Sequence, residues 1–82
     1  MNNTEERIIS VIRENMPDRT LNIEKESELI CNLGFDSVRL MGMLYSLEEE
    51  FQIEIINGEN NFLFFSITSV QDLIDVMNSI LD

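Results

Sequence analysis

Asp36-Ser37-Val38-Arg39-Leu40-Met41-Gly42-Met43-Leu44-Tyr45-Ser46-Leu47-Glu48-Glu49-Glu50-Phe51 is the stretch that decides the fold. At about 100° per residue, Leu40, Met43, Leu44, Leu47 and Phe51 fall on one side of a helix and form a core-facing stripe. The helix is expected from Ser37 to Phe51, with Asp36 or Ser37 as its N-cap, where a side-chain oxygen accepts from backbone N–H groups that have no helical partner. The opposite face carries Val38, Met41, Gly42, Tyr45, Glu48 and Glu49. A helix facing only water is polar there. Val38, Met41 and Tyr45 beside an acidic end instead give a small apolar patch with a charged rim, the composition of a transient docking surface.

Working outward, the same period recurs on both sides. Ile8, Ile9, Ile12 and Met16, with Val11 on the flank, predict a first helix starting near Asn3 or Thr4 and stopped by Pro17. Acidic residues in its first turn suit the positive end of the helix dipole. Val70, Leu73, Ile74, Met77, Ile80 and Leu81 predict a last helix opening at Thr68 or Ser69, where Thr68 and Gln71 have capping-box spacing. Between the first two helices a connection from about Asp18 to Asp36 has no clean period, and Leu21, Ile23, Leu29, Ile30 and Leu33 can pin it to a core. So long a loop in so small a chain suggests that it positions something. Asn57 to Asn61 reads as a turn. Phe62 to Phe65 reads as a short helical turn, with a buried strand as the alternative for so short an apolar run. The expected fold is therefore all-α, a small antiparallel four-helix bundle of three main helices and one short one, in a single domain spanning residues 1–82.

The bulk numbers limit what such a bundle does. With 82 residues there is room for one modest core. Sixteen acidic residues against five basic ones leave a net charge of -11, which repels nucleic acid and anionic lipid and attracts partners with basic patches. The single cysteine, Cys31, excludes an internal disulfide; with Leu29, Ile30 and Leu33 around it, it is expected as a small buried hydrophobe. No membrane-spanning run is visible, and the opening Met1-Asn2-Asn3-Thr4-Glu5-Glu6 has no signal-peptide pattern, so a cytoplasmic protein is expected. Histidine is absent altogether, which removes the commonest general base and metal ligand. No carboxylate set has metal-loop spacing, and three glycines make no phosphate-cradling loop. We expect no catalytic residue, no metal site and no autonomous enzyme.

Ser37 stands apart from that inventory. Gly34 can turn the chain tightly just before the helix, and a phosphate on the Ser37 oxygen faces the positive end of the dipole and unpaired N–H donors. Nothing nearby can serve as a base for its hydroxyl, so another protein must supply the activation. The plainer alternative is that Asp36 and Ser37 only cap a helix.

Leu33-Gly34-Phe35-Asp36-Ser37-Val38 resembles the Leu-Gly-x-Asp-Ser-(Leu/Ile/Val) signature of acyl and peptidyl carrier proteins. The resemblance extends to the helix closing in Leu47-Glu48-Glu49-Glu50-Phe51, the proline-ended first helix, the long loop, and the final helix opening Thr68-Ser69-Val70. It implies that Ser37 receives a 4'-phosphopantetheine arm from coenzyme A. The donor enzyme is a phosphopantetheinyl transferase, which holds the magnesium and is helped by Asp36. Acyl groups then ride as thioesters on the arm's thiol, loaded and used by acyl- or aminoacyl-activating and synthase enzymes. The docking surface, read from the helix itself, is expected to comprise Val38, Arg39, Met41, Gly42, Tyr45, Glu48 and Glu49, and the carrier is expected as a free-standing monomer. Carriers of fatty-acid synthesis usually have acids two and five residues after the serine, where this chain has Arg39 and Gly42. The expectation is therefore a specialised polyketide, nonribosomal peptide or lipid pathway. The alternatives are a housekeeping fatty-acid carrier and, in another class, a small acidic helical interaction protein with an unmodified Ser37.

Overall fold

In the computed structural model, residues 3–59 and 61–81 are described. Met1 and Asn2 of the opening stretch, Asn60 of the predicted turn and Asp82 lie outside them. The chain is all-α: α1 (Asn3–Asn15), α2 (Ser37–Phe51), a 3-10 turn (Asn61–Ser66) and α3 (Val70–Leu81). Among the described residues the only β pairing is an isolated bridge between Glu28 and Ser69.

One apolar core unites these elements. Ile8, Val11, Ile12 and Met16 enter it from the first helix and its end, Met43 and Leu47 from α2, and Val70, Leu73, Ile74 and Met77 from α3. Leu40, Leu44 and Phe51 of the expected α2 stripe pack at its margin, as does Ile80, whereas Leu81 is exposed. In α1 the burial is turned slightly from the expected stripe: Val11 is buried and Ile9 only half-buried. The reason is that α1 packs against both α2 and α3, and the side serving two neighbours is broader than one stripe.

The long connection is ordered by backbone pairing with the start of α3. Leu29 N–H donates to Thr68 O, Val70 N–H to Ser27 O and Gln71 N–H to Lys25 O, each at 2.9 Å. Leu29, Leu33 and Phe35 are buried, so they pin the last third of the loop, while Leu21 and Ile30 remain exposed. Gly34 takes φ +80°, a left-handed conformation in which a Cβ would lie 3.0 Å from Pro17 Cγ. A side chain is disfavoured there both by backbone and by space. This turn delivers Phe35 to the core and Asp36 to the start of α2.

One cap differs from the sequence expectation, and a second was not foreseen. At α3 the reciprocal pair is Ser69 and Asp72: Ser69 Oγ accepts from Asp72 N–H at 3.1 Å, and Asp72 Oδ2 accepts from Thr68 and Ser69 N–H at 2.9 and 3.0 Å. Thr68 with Gln71 was one residue out of register. At the end of α2, Gln52 adopts the left-handed C-cap conformation, and its N–H closes onto Glu48 O.

Candidate functional site

The site is assembled at the start of α2. Asp36 is the N-cap, extended at φ -121° and ψ -177°, and its Oδ1 accepts from Arg39 N–H at 2.8 Å. Ser37, exposed to solvent, is the first residue of the helix. Ser37 therefore stands at the positive end of the helix dipole, where Asp36 takes up one of the leading N–H groups, that of Arg39. Histidine, absent from the whole chain, cannot activate it. Among the described residues, no group of three or more acidic, cysteine or histidine side chains could hold a metal ion.

Ser37 also borders an apolar pocket of about 480 Å³. Leu40, Met41, Met43 and Leu44 supply its α2 wall, Phe64, Phe65 and Ile67 the opposite wall, and Leu29, Ile30 and Cys31 the loop side. Glu28 and Thr68 join Ser37 as its polar members. Every wall follows from the fold: the loop is held to Thr68 by the Leu29 N–H and to Ser69 by the bridge from Glu28, and buried Phe64 anchors the 3-10 turn that brings Phe65 to the opening.

The expected docking residues divide into two groups. Val38, Met41 and Tyr45 are exposed, Val38 most at 79%, while Met41 also lines the pocket. Glu49 is exposed as well. Arg39 folds back toward the first helix, its guanidinium donating to Asn15 O at 3.2 Å. Gly42 faces α1, because a Cβ on it would lie 3.0 Å from Asn15 Oδ1. Glu48 is half-buried, and its Oε2 accepts from Ile55 and Ile56 N–H at 2.7 and 2.8 Å, tying the chain after α2 to the helix. Arg39, Gly42 and Glu48 therefore have structural duties that the helical wheel alone did not show.

Cys31 corrects the sequence expectation: it is exposed, not buried. Leu29 and Leu33 take the inward positions of this stretch and leave Ile30 and Cys31 on the pocket side. A hydrogen bond to the Glu28 carboxylate, together with its negative charge, raises the thiol pKa above its ordinary 9.0. The aperiodic loop gave no register from which to read this.

No protein-family model matches the chain, and no solved structure matches it significantly. No helix among the described residues is long and apolar enough to cross a membrane.

Proposed function

We propose that the protein is a carrier that holds acyl intermediates as thioesters on a 4'-phosphopantetheine arm attached to Ser37. The observation that carries this reading is the combination at one point of an exposed serine just after a capping Asp36 and an apolar pocket that the serine borders. A phosphodiester on Ser37 is favoured by the helix terminus. An acyl chain on an arm that folds back finds a hydrocarbon surface and loses contact with water. Asp36, fixed as the cap, assists a transferase that brings coenzyme A and magnesium. In this reading the helices form an antiparallel four-helix bundle of carrier type, monomeric and cytoplasmic. Val38, Met41, Tyr45 and Glu49 meet basic patches on loading and synthase enzymes. Catalysis belongs to those partners.

Arg39 and Gly42 favour a specialised polyketide, nonribosomal peptide or lipid pathway. The hydrocarbon lining of the pocket favours the second reading, a general fatty-acid carrier. A fluorescent coenzyme A analogue, magnesium and a broad-specificity transferase test the proposal. Wild type should become labelled and Ser37→Ala should not; an unlabelled wild type refutes it. Loading with fatty-acid and with amino-acid activating enzymes then separates the pathways, and Arg39→Asp should improve use by fatty-acid partners.

A further inference from the structure

Two phenyl rings of one short turn are largely open to water. Phe62 is 60% exposed and Phe65 84% exposed, both on the 3-10 turn. In a helix of three residues per turn, side chains at i and i+3 stand one above the other, so the two rings form one ridge. Phe64 is buried and anchors the turn without them. Phe65 borders the pocket together with Ile30 of the loop and Met41 of α2, and both of these are also exposed. Val38 stands one turn before Met41 on the same helix. Loop, helix and 3-10 turn thus give the pocket mouth an apolar rim on three sides. An apolar surface of this kind, on a chain this small, marks a contact site.

Charge selects what covers it. The chain has a net charge of -11 and five basic side chains, and all five are engaged within the molecule. Arg7 is paired with Glu50 and Lys25 with Glu5. Arg13 donates to Arg19 O and Leu21 O, Arg19 to Glu14 O and Arg39 to Asn15 O. A second copy carries the same net charge of -11 and opposes acid to acid, and anionic lipid meets the same repulsion. A protein surface with an apolar centre and a lysine- or arginine-bearing rim meets its complement.

We infer that Phe62 and Phe65 are the anchors on which a partner protein seats an apolar cleft with a basic rim, over the mouth of the pocket. Exposed aromatic pairs of this sort concentrate binding energy when a partner desolvates them. The inference holds whether or not Ser37 carries an arm.

An amphipathic helical peptide of leucine and lysine serves as the probe, with its leucine–glutamate counterpart as control, titrated calorimetrically at low and moderate salt. Wild type should bind the lysine peptide one to one, more weakly as salt rises, and ignore the glutamate peptide. The double variant Phe62→Ser/Phe65→Ser should bind about tenfold more weakly or worse, with its melting temperature retained because both rings are exposed. Leu21→Ser, an exposed apolar position away from the pocket, should bind as wild type. Undiminished binding by the double variant overturns the inference, since charge alone then suffices. So does binding to phosphatidylcholine vesicles that the double variant loses, which assigns the ridge to lipid. Self-association in sedimentation that the double variant abolishes assigns it to a second copy and overturns it equally.

Discussion

Glu48→Ala tests how the chain after α2 is held. The Glu48 carboxylate accepts two backbone N–H groups, those of Ile55 and Ile56, and Ile55 is a fully buried core residue. Truncation leaves both donors without their acceptor at the edge of the core. Hydrogen bonds to a charged acceptor contribute about 1.5–3 kcal/mol each, and partial access of water to this half-buried site places the pair near the lower end, about 3 kcal/mol together. A domain of this size has a total stability of only about 4–12 kcal/mol. At about 4–8 °C per kcal/mol the melting temperature should fall by roughly 12–24 °C. Both bonds go to one oxygen, so Glu48→Gln retains an acceptor in place and should lose only about 1 kcal/mol, the difference between charged and neutral acceptors. Glu49→Ala, next along the helix and exposed, should stay within about 0.5 kcal/mol of wild type. Thermal and urea unfolding of the three variants gives the answer. If Glu48→Ala melts with Glu49→Ala, the carboxylate does not hold the segment and the reasoning fails.

Other perturbations follow from the same structure. Asp72 has its pKa lowered below the ordinary 3.8, first by the N–H of Ser69 and then by that of Thr68. A lowered folded pKa gives stability that is present above 3.8 and is lost as pH falls through the folded value; Asp72→Asn should therefore flatten the acid limb of a stability–pH curve below about pH 4 and leave its shape at neutral pH unchanged. Cys31, though exposed, should react with iodoacetamide at pH 8 more slowly than free cysteine, because Glu28 holds its proton, and Glu28→Gln should speed it; equal rates in the two proteins contradict the pairing. Gly34→Ala should cost about 1–2 kcal/mol for the left-handed backbone, with contact on Pro17 adding to it, and unfolding in urea measures this.

Helix number and the all-α class were legible because Ile8, Ile12, Met43, Leu47, Leu73 and Met77 repeat at helical spacing, and burial follows that repeat directly. The N-cap was legible as Asp36 or Ser37, since a cap depends on a few adjacent residues, and the structure gives it to Asp36. What escaped the sequence depends on contacts distant along the chain. Gly42 belongs to the α1 contact because Asn15 comes to meet it, and Glu48 is committed because the chain turns back at Ile55. Cys31 was misplaced since its loop takes register from backbone bonds to Thr68 and Val70, which no periodicity announces. The Ser69-x-x-Asp72 spacing was present in the sequence and was the better capping signal there. The pocket beside Ser37 was not legible, because its walls come from three separated segments.

The attachment of an arm to Ser37 is tested most directly by intact mass spectrometry of the purified protein, before and after incubation with coenzyme A, magnesium and a broad-specificity phosphopantetheinyl transferase. Apo protein should convert to a single species heavier by one phosphopantetheine, the added mass should map to the peptide containing Asp36-Ser37, and Ser37→Ala should gain nothing. Wild type that gains no mass, or a gain that persists in Ser37→Ala, contradicts the carrier assignment.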